Sequence, residues 1–187
     1  MVQGDPDAPR SADSMTTLRR ATESDLPEIV AIYNEAIEHS FATFDVTPFA
    51  AAEREGWFAQ FDEDNPLIVS VVDGHIAGYA YYVPYRPKPA YRFTKELTVY
   101  VGDAHRGAGI GTELYRALIE HATDRGVHAL LAVIAGDNPE SVALHRKLGF
   151  EPVGHLIEVG HKFGQWVDTR FYQKTLSGPE APSAREA

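Results

Sequence analysis

Between positions 26 and 37 the apolar residues Leu26, Ile29, Val30, Tyr33 and Ile37 recur at intervals of three and four, the spacing of one helix face. Thr22-x-x-Asp25 just ahead reads as a capping box that would start this helix, and a short strand around Thr17–Arg20 precedes it. Thr47-Pro48 repeats the start signal, an N-cap with proline at the first helical position. It predicts a second helix carrying Phe49, Trp57 and Phe61. The period then changes. LIVSVV and HIAGYAYYV flank Asp73-Gly74, which predicts a β-hairpin. Residues 84–92 (PYRPKPAYR) are interrupted by Pro84, Pro87 and Pro89 and read as a loop. FTKELTVYV is a strand running into a glycine stretch, and TELYRALIEHATDRG is a helix in which Leu114 stacks on Leu118 and Tyr115 on Ile119. VHALLAVIA is a strand, Pro139 opens a short helix that Gly149 closes, and FEPVGHLIEVG and WVDTRFYQKTL are strands. The order β-α-α-β-β-β-α-β-α-β-β predicts an α/β (α+β) fold, a mixed sheet with helices on its faces.

Residues 1–14 and 177–187 are rich in Asp, Pro, Ser and Gly without apolar periodicity, so both are expected to be disordered around one folded domain, 15–176. Met15 is a candidate start. The 187 residues, 44% hydrophobic and 24% charged, have the composition of a soluble globular protein. No apolar run reaches bilayer length and the N-terminus lacks a signal-peptide core, which predicts a cytoplasmic protein with no membrane partner. The absence of cysteine excludes disulfides, thiolate metal sites and a cysteine nucleophile. A net charge of −10 argues against nucleic acid as a partner but leaves room for one locally held anion.

That anion has a candidate seat in HRGAGIG, residues 105–111. A mononucleotide P-loop fails because Ala108 stands where lysine is required. A dinucleotide turn fails because Thr112 replaces the third glycine and the following strand ends in Ala135-Gly136 rather than an acid. Arg106-x-x-Gly109-x-Gly111, between a strand and a helix start, fits a cradle in which backbone N–H groups and a helix N-terminus converge on a pyrophosphate. On these residues alone, a glycine turn that binds nothing stays open.

LTVYVGDAHRGAGIGTELYRALIEHATDRG resembles the acetyl-CoA segment of the GCN5-related N-acetyltransferases, with its Arg/Gln-x-x-Gly-x-Gly/Ala signature, and GDNPESVALHRKLGF resembles that family's last helix. AYRFTKELTVYV, AVIAGDNPESVALHRKLGF, VGHKFGQWVDTRFYQK and IYNEAIEHSFATFD are similar to the branch that acetylates phosphinothricin and methionine sulfone or sulfoximine. The resemblance implies the GNAT fold, a mixed, mostly antiparallel central sheet with helices on both faces. Two of its central strands, here FTKELTVYV and VHALLAVIA, splay apart to admit acetyl-CoA. It also implies that the backbones of Val99, Tyr100 and Val101 pair with the pantetheine. Arg106, Gly107, Ala108, Gly109, Ile110, Gly111 and Thr112 would hold the pyrophosphate, and Asn138 the pantetheine arm with Ser141 beside it.

Attack of an amine on a thioester needs a base, an oxyanion donor and a proton for the thiolate. Glu96 shares a strand face with Thr98 and Tyr100, facing either solvent or a cleft, and the resemblance makes it the base, directly or through water. His145 stands where many family members carry the tyrosine that protonates the thiolate. The similar branch also has histidine there, and imidazole can do the same work. A backbone N–H of Val99 or Tyr100 is the expected oxyanion donor. Arg86, Lys88, Arg92 and Lys95 precede Glu96 with no acid among them, either a solvated loop or a seat for an acceptor's carboxylate or phosphinate. Tyr85, Tyr91 and Phe93, with Phe41 and Phe44, would wall that seat, and Leu97 and Thr98 would touch the acceptor. No G-x-S-x-G or H-E-x-x-H occurs, so neither a serine hydrolase nor a metal is expected. The expected activity is acetyl transfer from acetyl-CoA to the α-amine of a small amino acid analogue, with herbicide resistance incidental. Another amine or a peptide N-terminus is the alternative acceptor, and a non-catalytic coenzyme A sensor the alternative class. The resemblance, to a branch that is typically dimeric, implies a homodimer, and Trp166, Phe171 and Tyr172 would supply either that contact or core.

Overall fold

The computed structural model describes residues 16–176; the two tails expected to be disordered, and Met15, lie outside the described residues. The elements are β1 (Thr16–Arg20), α1 (Leu26–His39), α2 (Glu55–Phe58), β2 (Leu67–Val72), β3 (His75–Pro84), β4 (Thr94–Val101), α3 (Ile110–Asp124), β5 (Ala129–Ala135), α4 (Pro139–Lys147), β6 (Glu151–Lys162) and β7 (Gln165–Thr175). They form one seven-stranded sheet in the order β1-β2-β3-β4-β5-β7-β6. Every neighbouring pair is antiparallel except β4–β5. The sheet is therefore mixed and mostly antiparallel, as the resemblance implied.

Strand alternation gives the sheet two faces, and each takes a helix. Leu114, Tyr115 and Leu118 of α3 pack with Ala80, Tyr82, Leu97, Leu130, Ala132, Ile134 and Tyr172 on one side. Ile29 and Ile32 of α1 pack with Leu67, Val69, Ile76 and Tyr79 on the other. Burying about twenty apolar side chains in this way, at roughly 1.5–3 kcal/mol each, is the main force holding the sheet between its helices. Of the aromatics expected at a dimer contact or in the core, Tyr172 is core, while Trp166 is 66% exposed.

The capping box forms, with Asp25 accepting from the Thr22 N–H (2.7 Å) and hydroxyl (2.9 Å). Asp25 also takes both arms of the Arg19 guanidinium, which holds its carboxyl down at about 2. The box closes a 3-10 turn at Glu23–Asp25 that leads into α1.

The helix predicted from Thr47-Pro48 through Phe61 is not formed in that shape. A 3-10 turn, Ala51–Arg54, leads into the single turn α2, and Phe61 lies beyond it. Asn34 on α1 grips the Phe49 backbone with both amide atoms, at 2.9 and 3.0 Å, and keeps that stretch extended. The Glu53 side chain then accepts from the Ala50 N–H at 2.6 Å, so helical structure begins there. Gly56 and the docking of Trp57, Phe58 and Phe61 on the α1 face end it early.

Two features prepare a site. β4 and β5 pair only from Thr94↔Ala129 to Leu97↔Ala132, although β4 runs on to Val101 and β5 to Ala135. Beyond Leu97 the strands part. The loop after α1 is also locked to the far hairpin. Lys162, 2% exposed, donates to Thr43 O at 2.9 Å, and the Phe44 ring occupies the space over Gly160 where any side chain would collide with it.

Candidate active site

A cleft of about 600 Å³ opens where β4 and β5 part, bounded by the start of α3, by α4 and by the loop after α1. One end is a cradle. Gly107 and Gly109 have φ of +77° and +89°, a region costly for residues with a Cβ, and nothing lies within 4 Å of where a Cβ would stand on either. Gly109 is the N-cap of α3, so the first N–H groups of that helix lack acceptors within it. Gly111 lies in the first turn, against Leu144 and Val101. Arg106 is exposed and pairs with Asp103 at 2.7 Å, a weak surface contact that it can exchange for an anion. Asn138 caps α4 by accepting from Ser141 N–H at 2.9 Å, which leaves its amide donors free toward the cleft. An extended pyrophosphate-bearing coenzyme fits this set, with its anion on the α3 terminus and its arm between the parted strands.

Glu96, Thr98 and Tyr100 do share one face of β4, and that face looks into the cleft. Burial pushes the Glu96 carboxyl up from its ordinary value, and the Arg86 guanidinium partly opposes this. A carboxylate so placed is a stronger base than one in water. Past Leu97 the β5-facing backbone groups of Thr98–Val101 have no ladder partner, which leaves polar backbone groups along the gap between the strands.

His145 and Tyr115, each 2% exposed, meet at the cleft wall. The His145 Nδ1–H donates to Ser141 O at 2.7 Å, because a carbonyl can only accept. Its Nε2 is then the acceptor for the Tyr115 hydroxyl at 2.8 Å. Burial lowers the His145 pKa, with the Ser141 carbonyl acting the other way, and raises that of Tyr115, so both rest neutral.

The acceptor residues divide. Phe44, Leu97 and Thr98 line the cleft, whereas Phe41 lines a neighbouring hollow with Gly136, Asp137 and Trp166. Arg86, Tyr91 and Arg92 lie outside the cleft walls, with Arg86 over the Tyr85 ring and Arg92 over Phe93. Arg86 still reaches the site through its field on Glu96. Sequence reasoning missed Tyr115, Thr43, Val133 and Thr169 as cleft residues. Tyr115 carried only a helix-spacing signal, and a threonine in a strand carries none. Among the described residues no group of His, Cys, Asp and Glu could hold a metal ion, and no helix is long and apolar enough to cross a membrane.

A model of the Acetyltransferase (GNAT) family matches residues 27–150. The chain is 43% identical over 162 residues to the L-methionine sulfoximine/L-methionine sulfone acetyltransferase of Pseudomonas aeruginosa, covering 86% of this chain and 94% of that one. A phosphinothricin acetyltransferase from Sinorhizobium meliloti, solved in complex with AcCoA, superposes with a TM-score of 0.85 at 38% identity, covering 90% and 94% of the two chains. A structure described as a ribosomal-protein-alanine N-acetyltransferase from Brucella melitensis superposes with a TM-score of 0.82 at 45% identity, covering 86% and 99%.

Proposed function

We propose that this chain, which belongs to the acetyltransferase (GNAT) family, moves an acetyl group from acetyl-CoA to the α-amine of a small amino acid whose side chain ends in sulfone, sulfoximine or phosphinate oxygens. The observation that carries the reading is the placing of a half-buried, raised-pKa Glu96 in one cleft with the Gly107–Gly111 cradle. Acetyl-CoA, when bound, supplies the activated acetyl group. The α3 N-terminus and Arg106 hold its pyrophosphate, and the free edge of β4 holds its arm. Glu96 takes the proton from the incoming ammonium, and an N–H of Val99 or Tyr100 meets the carbonyl oxygen as negative charge develops there.

His145 returns a proton to the thiolate through Tyr115. The proton comes from the attacking nitrogen, which sheds its second one as the amide forms. The Tyr115 hydroxyl gives its proton to the sulfur while His145, neutral at rest, takes up the nitrogen's proton and passes it from Nε2 to the Tyr115 oxygen, keeping Ser141 O on Nδ1. No tyrosinate forms, which suits a phenol whose ionisation burial opposes. His145→Gln is expected to lower kcat about tenfold with both KM values kept, as initial rates would reveal; an unchanged kcat would remove His145 from proton transfer.

Thiol release from acetyl-CoA tests the function, using methionine sulfone, methionine sulfoximine, phosphinothricin, a simple alkylamine and an alanine-terminated peptide. Release with the amino acids is expected. Release with the peptide alone would transfer the reading to protein N-termini, and coenzyme binding without release would make the chain a sensor.

The exposed side chains Val153, Ile157, Val159 and Trp166 on the β6–β7 hairpin support a homodimer joined there. Sedimentation should then give about twice the 20.6 kDa chain mass; a monomer at micromolar concentration would contradict it. Acetyl-CoA as donor supports a cytoplasmic site of action, which cell fractionation checks.

A further inference from the structure

We infer that Thr169 reads the oxygen-bearing end of the acceptor's side chain, an inference that rests on the amino acid reading above. Thr169 lies on β7 opposite Ala135 of β5, on the face of the sheet that carries Val133, and it lines the cleft with Phe44, Val133 and Ala135. It is 5% exposed, and its hydroxyl is one of two buried side-chain polar atoms without a hydrogen-bond partner among the described residues. The other, Ser70, sits on β2 away from the cleft walls.

The remaining hydroxyls around this end of the cleft are engaged. Ser40 donates to Ala36 O and accepts from Ala42 N–H. The Thr43 hydroxyl meets Tyr33 and accepts from Asp45 N–H, while its carbonyl takes Lys162. Thr98 shares a hydrogen bond with Tyr81. An unmatched buried hydroxyl is a standing cost that a ligand group can remove. A change of χ1 rotamer carries the Thr169 hydroxyl into the place now held by its methyl or its hydrogen, so the hydroxyl can be re-aimed without moving the strand.

The chemistry of the wall then sorts the acceptor's groups. Glu96 serves the amine. The cleft-lining neighbours of Thr169 on its own sheet face, Val133 and Ala135, are apolar and the other hydroxyls are engaged, so an acceptor oxygen arriving there would be stranded without a donor. The threonine hydroxyl is that donor, and a thioether or alkyl side chain has no use for it.

Thr169→Val keeps the shape and removes the hydroxyl. Steady-state kinetics are compared for methionine sulfone and methionine, or for whichever oxygen-bearing amine and oxygen-free analogue the wild type acetylates. The valine variant is expected to lose about five- to tenfold in kcat/KM for the oxygen-bearing acceptor, mainly through KM. The oxygen-free analogue and the acetyl-CoA KM should be unaffected. Thr169→Ser should retain most of the wild-type preference. The melting temperature of the valine variant should equal or exceed that of wild type, because the residue it replaces has an unsatisfied group. Equal losses for both acceptors, or a rise in the acetyl-CoA KM instead, would overturn the assignment. A wild type that prefers a non-amino-acid amine would refute the amino acid reading while leaving the Thr169 comparison to stand on that amine.

Discussion

Glu96→Gln is expected to lower kcat by about a hundred- to a thousandfold, the contribution of a positioned general base. The shape is kept and the acetyl-CoA KM should hardly move, since the cradle is built from other segments. The pH profile carries a sharper signature. Burial raises the Glu96 pKa, and the basic form exists only above that value. The acid limb of the wild-type profile should therefore lie above the ordinary glutamate range, with activity rising through it toward neutral pH. The glutamine variant should lose that limb.

Stability should move the opposite way. A carboxyl whose pKa is raised by folding contributes stability below its unfolded pKa and loses it as pH rises through the folded one. At neutral pH the charged Glu96 is thus a burden on the fold, and Glu96→Gln should melt no lower than wild type. A variant that keeps full kcat would remove Glu96 from the chemistry. One that melts several degrees lower would show that its role is structural.

Gly109→Ala should strike the other end of the cleft. An alanine forced into φ near +89° costs about 1–2 kcal/mol, and its methyl would project into the space the cradle keeps open. If the loop instead abandons that conformation, the N–H groups of the α3 terminus no longer converge. Either route weakens the coenzyme, and a ten- to thirtyfold rise in the acetyl-CoA KM is expected, about 1.4 kcal/mol for each factor of ten. The acceptor KM should stay near wild type. An unchanged acetyl-CoA KM would mean that the glycine serves only the turn.

What could be read from the chain follows from where each signal resides. The element order came from periodicity, which is local, and the cradle and Glu96 came from motifs within one strand–loop–helix stretch. The segment after α1 misled because Thr47-Pro48 is also a local signal. The Asn34 amide that overrides it lies a helix away in sequence and touches Phe49 only once the chain has folded. The acceptor end was largely hidden for the same reason. Glu96, Val133 and Thr169 come from three strands that β4–β5 and β5–β7 pairing bring together, and Phe44 joins them from a loop held by Lys162 and Gly160. Phe41 and Phe44, three residues apart, enter different hollows because the loop turns between them. The Tyr115–His145 bond joins two helices whose patterns said only that Tyr115 stacks on Ile119.

The early end of the β4–β5 ladder also has a consequence for the protein before any substrate arrives. Amides and carbonyls of residues 98–101 and 133–135 form a raw sheet edge in the middle of the molecule, the kind of edge another extended chain can join. A coenzyme arm lying there acts as a missing strand. Amide hydrogen exchange at these positions should be fast in the apo-protein and slow on addition of coenzyme A, and thermal stability should climb with the logarithm of coenzyme concentration. The coenzyme would then complete the sheet of this fold as well as supply its reaction.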